Sequence, residues 1–159
     1  MEIEVGNASA VDTSGSGWFI GYGDWTRSAD RGLGDLRVLP RDALARGLQV
    51  KWMVHPAHDP RGTGKPLSEG RTISLLVSEG GRFRLEFSTD PSFSVPGLVR
   101  HTLDRHGDFV IWGPGLHHRW FVDEACTILT LRWTPVPDKH SGMAGGSPLG
   151  SSQTSKPGR

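Results

Sequence analysis

Two of the seven histidines in this 159-residue chain, His55 and His118, sit where patterned apolar segments aim a side chain inward. His55 closes the run Leu48-Gln-Val-Lys-Trp-Met-Val-His55, whose alternation reads as a strand. Leu48, Val50, Trp52 and Val54 share one face of it; Gln49, Lys51, Met53 and His55 share the other. His118 ends the run Gly107-Asp-Phe-Val-Ile-Trp-Gly-Pro-Gly-Leu-His-His118. Its Gly-Asp turn starts a strand, the Gly-Pro-Gly corner bends the chain, and the histidine beyond points back inside. Imidazole titrates near neutral pH, so two of them in a closed cavity can move a proton on a bound molecule. Trp120 shares the face of His118, whereas His117 faces the other way. Met53 lies beside His55, and Thr72 and Ser74 share a strand face from which they can orient a polar substrate. Plain strand residues are the alternative for those two. The single cysteine, Cys126, excludes an internal disulfide and a multi-cysteine zinc site, and reads as a small buried hydrophobe.

The elements that must position these side chains are almost all strands. Apolar runs recur at Trp18–Tyr22, Leu36–Leu39, Leu48–His55, Thr72–Ser78, Arg82–Phe87, Val99–Leu103, Gly107–Trp112, His118–Val122 and Cys126–Trp133, separated by Gly- and Pro-rich turns. The unit Thr72–Phe87, turning at Glu79-Gly80-Gly81, reads as a hairpin. One short helical turn is expected at residues 40–46, with Pro40 at its start and Gly47 after its end. Arg82 and Arg84 share the face opposite Phe83 and Leu85, a solvated face unless Glu86 partners them. Eight or nine short strands imply a closed all-β barrel or jelly roll. Residues 1–16 read as a flexible N-terminal segment in which Ile3 and Val5 offer an edge strand. Residues 17–136 form the barrel, and 137–159, rich in Gly, Ser and Pro, read as a disordered tail.

Composition narrows the partners. Net charge is +1 with acids and bases interleaved, so no basic block gathers the phosphates of a nucleic acid. No apolar run reaches the length of a membrane span, and the N-terminus lacks the pattern of a secretion signal, which makes a cytoplasmic location the default expectation. Six tryptophans against one tyrosine point to aromatic surface used in a core, a ligand cavity or a dimer interface.

The run ending in His118 resembles the second motif of the cupins, with Gly107, Gly115 and His118 in register and Gly113 at the motif's proline position. The first motif is degenerate. From Gly47 its His-x-His pair falls on Met53-Val-His55, and its glutamate falls on Thr72. The resemblance covers about residues 17–136 and is strongest to small single-domain bacterial cupins. It implies a cupin-type β-barrel (jelly roll) and a homodimer paired through an N-terminal strand, which residues 1–22 can supply. In the wider superfamily three histidines and a glutamate hold Fe, Mn, Ni or Zn. Here only His55 and His118 occupy those positions, and a divalent metal would need a substitute from the intervening loop, His58 or Glu69 first and Asp59 beside them, to complete it.

Two classes of function follow. One is an enzyme of small-molecule metabolism using His55 and His118 for acid–base chemistry of the isomerase or cyclase type, or carrying a weak metal site; a metal-dependent oxygenase is its metal-bound variant. The other is a non-catalytic ligand-binding or sensing protein. Retained cavity histidines favour the first; missing motif ligands favour the second.

Overall fold

The protein, as a computed structural model, is described here at residues 1–13, 15–22, 36–39 and 43–136. The strands in chain order are β1 (Ile3–Asn7), β2 (Gly21–Tyr22), β3 (Val38–Leu39), β4 (Leu44–His55), β5 (Arg71–Leu76), β6 (Arg82–Ser88), β7 (Val99–Leu103), β8 (Asp108–Trp112), β9 (His117–Glu124) and β10 (Cys126–Val136). A five-stranded antiparallel sheet runs β1-β8-β5-β10-β4, and a three-stranded antiparallel sheet runs β7-β6-β9. From β7 onward the chain crosses between the sheets at every connection, which makes the fold an all-β jelly roll of the cupin type. Among the described residues no helix is long and apolar enough to cross a membrane.

Alternation decides what each sheet turns inward. Between the sheets lie Leu76, Val110, Trp112 and Ile128 from the larger and Phe83, Leu85, Phe87, Leu103, Trp120 and Val122 from the smaller. Burying side chains of this size stabilises by about 1.5–3 kcal/mol each. The outer face of the larger sheet carries a second core, in which Ile73, Phe109, Ile111 and Trp133 pack against Leu36, Leu39, Phe19 and Ile20. The described residues around 19–20 and 36–39 therefore serve as a cover, and β2 and β3 pair in parallel within it.

On the outer face of the smaller sheet, Glu86 is buried. It accepts hydrogen bonds from Arg84 (2.9 Å), Arg100 (2.7 Å) and Arg119 (2.7 Å). Burial pushes its carboxyl up, but the bonds from Arg100 and Arg119 more than offset that and hold it below its ordinary value. Arg84 is thus paired, where the sequence favours a solvated face.

Two further expectations are corrected. Residues 44–46 are not helical but begin the twelve-residue β4. Gly47 has φ +65°, and the β10 register jumps there from Arg132↔Gln49 to Thr134↔Arg46. This is a bulge, which shifts the phase of alternation and hides the strand from a period-two reading. Pro40 to Asp42, the rest of that expected turn, lie outside the described residues, as does the tail 137–159. The second correction concerns Thr72–Phe87, which is not a paired hairpin. β5 pairs with β8 and β10 whereas β6 pairs with β7 and β9, so the Glu79–Gly81 turn carries the chain from one sheet to the other.

β1 pairs with β8 of its own chain, Ile3 opposite Trp112 and Asn7 opposite Asp108. The N-terminal strand nominated for a partner's sheet is an edge strand of its own.

Candidate functional site

The smaller sheet ends at β9, and the larger ends at β4. Between these edges runs the loop 56–70, tied to β9 by His58 N–H to Val122 O (2.7 Å) and to the following corner by Ser68 N–H to Leu116 O (3.0 Å) and Gly115 N–H to Ser68 O (2.8 Å). A 3-10 turn at Pro60–Gly62 lies within it, capped by the Asp59 side chain. Gly62 lies against β9 so closely that a Cβ there would collide with the carbonyl oxygen of Trp120. The loop thus stands where a further strand would close the barrel. Residues 44–52 of β4 are exposed on both faces, so no described layer covers their inner side and the barrel is open there.

Cross-strand register brings the expected residues to this opening. On the inner face of the larger sheet, Lys51, Thr130 and Ser74 form one rung, with Arg132 and Thr72 in the next and Met53 and Ile128 on the other side. His118 and Trp120 of β9 face them from the smaller sheet. His55, His118, Thr72, Ser74 and Trp120 are all buried, and Met53 is half-buried.

Each histidine is pinned through one nitrogen. His55 Nδ1 lies 2.9 Å from Asp59 Oδ2, with its ring 4.7 Å from that of Trp120. Asp59 is held in turn by the Arg61 backbone N–H (3.1 Å) and Nε (2.8 Å). The Arg61 hydrogen bond keeps the Asp59 carboxyl well below the usual range, so it is ionised and fixes the proton of His55 on Nδ1. Burial pushes the His55 imidazole down, although Asp59 works against this. His118 Nδ1 lies 3.4 Å from Ser68 Oγ, which already accepts from Trp112 Nε1 (2.9 Å). The Ser68 hydroxyl proton is therefore free for His118. Burial, followed by the positive field of Arg132 and Lys65, pushes His118 down to about 4, so it is neutral at neutral pH. Neither Nε2 has a hydrogen-bond partner among the described residues. Since no fully buried side-chain nitrogen or oxygen among the described residues lacks one, neither Nε2 is fully buried.

A metal does not fit this donor set. Among the described residues no three His, Cys, Asp or Glu side chains are gathered for coordination. His58 and Glu69, named from sequence as completing ligands, are both exposed, His58 in a left-handed conformation with φ +58°. The loop's nearest carboxylate, Asp59, already serves Arg61 and His55. Thr72, at the motif's glutamate position, accepts instead from Arg132 Nε (3.3 Å). A threonine beside a cation thus stands where the motif has an acid.

Sequence reading missed Ser68, Lys65 and Arg132 altogether, and saw in Asp59 only a substitute ligand. The spacing of His55 and Asp59 at i and i+4 was the one available hint.

No protein family's sequence profile matches the chain, and no curated protein matches it. Two solved structures are similar. One is Streptomyces albus HEPD with its substrate 2-hydroxyethylphosphonate and Fe(II) bound (13% identity, 54% of this chain and 17% of that one, TM-score 0.42). The other is YcfD, a ribosomal oxygenase from Escherichia coli (16% identity, 60% and 24%, TM-score 0.43). The chain spans less than a quarter of either.

Proposed function

We propose that the protein binds a small organic molecule at the open side of its barrel and transfers a proton on it, as an isomerase or cyclase does. The observation that carries this reading is that two buried histidines are each pinned through Nδ1 while neither Nε2 has a partner among the described residues. With Asp59 holding a proton on Nδ1, His55 presents a lone pair on Nε2 and acts as the base. The imidazolium formed when it takes a substrate proton is stabilised by the Asp59 carboxylate. With Ser68 donating to its Nδ1, His118 presents Nε2–H, a neutral donor that polarises a carbonyl and supports the developing oxyanion. Return of the proton from His55 to a different atom completes an isomerisation with no net change in protons. Thr72, Ser74, Met53 and Trp120 surround the molecule.

Two measurements test this. A ligand-observed NMR screen against neutral sugars, amines, carboxylates and phosphate esters should yield binders that Thr130→Trp, which fills the trough, abolishes and Thr130→Val does not. If no compound shows that dependence, the chamber reading is wrong. Asp59→Asn should move the titration of His55, followed by NMR of its ring protons, further below its wild-type value, because the carboxylate that favours the imidazolium is gone. An unchanged or raised value would remove the dyad from the mechanism.

A further inference from the structure

We propose that the molecule bound at this opening carries an oxyanion, a carboxylate or a phosphate group, seated between Lys51, Lys65 and Arg132. The inference rests on the chamber reading above and specifies its ligand class.

Three cationic side chains reach the same opening from three different segments. Lys51 projects from the inner face of β4 in the rung of Thr130 and Ser74, and Arg132 from β10 one rung along, beside Thr72. In a sheet such diagonal neighbours are rooted about 7–8 Å apart, a span that long side chains close around one group. Lys65 comes from the bridging loop, with Nζ 5.4 Å from the Trp120 ring. Trp120 in turn packs on His55, which places Lys65 on the wall facing β4 and β10.

None of the three, which line the open side, is ion-paired within the described residues, whereas the buried carboxylates Asp59, Glu86 and Asp108 each have an arginine partner. Asp59 is committed to Arg61 and His55. Glu86 and Asp123 lie on the outer face of the smaller sheet with Arg84, Arg100 and Arg119. The mutual repulsion is felt. After burial, the charges of Lys65, Arg132 and Arg61 push the Lys51 ammonium below its ordinary value. Like charges held together without a counter-charge destabilise the free protein, and an anion arriving between them relieves that. Arg132 adds geometry: its Nε is engaged by Thr72, so the terminal nitrogens remain for a two-point grip on a carboxylate or phosphate. A substrate anchored by its anionic end would present its reacting carbon to His55 and His118.

Inorganic phosphate and malonate, titrated separately and followed by the NMR shifts of the tryptophan indoles, test the proposal and distinguish the two sources of the oxyanion. At least one should bind saturably to the wild-type protein. Lys51→Met, a change at an exposed residue that leaves the core alone, should weaken it roughly tenfold. Arg132→Lys should weaken it less than Lys51→Met. Arg82→Gln, which removes an exposed cation on the opposite side of the smaller sheet, should leave it unchanged. Binding that is unaffected by Lys51→Met, equally weakened by Arg82→Gln, or absent for both probes would overturn the inference. If neutral sugars alone bind in a manner blocked by Thr130→Trp, the anion is wrong and the chamber stands. If Thr130→Trp blocks nothing, the chamber itself has failed.

Discussion

At the scale of single residues, His118 is the group whose chemistry depends most on its surroundings. In an unfolded chain its imidazole titrates near 6.5; in the fold it is held at about 4, mainly by burial. Between those values the unfolded chain binds a proton that the folded chain refuses, so stability falls as pH drops from 6.5 towards 4 and levels off below. A shift of this size corresponds to about 3 kcal/mol. His118→Gln should therefore flatten that part of the stability curve, with His55 and His101, also lowered by burial, leaving a residual slope. Urea unfolding near pH 7.5 and pH 5 checks this: equal losses in the two proteins would mean that His118 is not held neutral. Six side chains named from sequence, His55, Met53, Thr72, Ser74, His118 and Trp120, do face inward. Their faces follow from alternation alone, a local property. Their partners were not legible, because Asp59 and Ser68 come from an irregular loop and Arg132 from a strand about 60 residues away from Thr72.

At the scale of elements, the bridging loop is the part on which the site depends. It has no repeating pattern, and its position rests on a few backbone hydrogen bonds and on the close approach of Gly62 to Trp120. Gly62→Ala should force the loop off β9, destabilising the protein by about 1–3 kcal/mol as overpacked substitutions do. It should also release Asp59 from His55. Guanidinium unfolding together with the NMR titration of His55 measures both effects. A fully stable variant with an unaltered His55 would show that the loop's seat is not tight. Gly47 makes the complementary point. Its positive φ permits the bulge that keeps β4 paired with β10 to Leu44, and the same glycine, following a proline and an alanine-leucine run, imitates the end of a helix. Local propensity lost to cross-strand hydrogen bonding. The supposed hairpin at Thr72–Phe87 failed for a related reason, since a turn says that the chain reverses but not which sheet receives it.

At the scale of the whole molecule, the two faces of the larger sheet are treated unequally. Its outer face is covered over β5, β8 and part of β10, but at β4 the apolar residues Leu48, Val50, Trp52 and Val54 remain exposed, Trp52 at 65%. An apolar row of this kind beside a strand edge that is unpaired among the described residues favours self-association. The homodimer expected from sequence would then pair through this face rather than through the N-terminal strand. In sedimentation velocity at high micromolar concentration the wild-type protein should associate and Trp52→Lys should be monomeric with unchanged circular dichroism. A wild-type monomer would leave the face without that role.

The amino-acid sequence by itself determined most of the strand positions, the all-β class and the inward direction of the two histidines, because alternation and turn residues act over a few neighbours. Only the tertiary structure decided that a loop replaces the closing strand, that Asp59 and Ser68 lie against the Nδ1 atoms of the two imidazoles, and that Lys51, Lys65 and Arg132 approach one another without an ion pair among the described residues. Those depend on which distant segments meet across the barrel. Such meetings are fixed by the packing of both sheets together, and no short stretch of the chain records them.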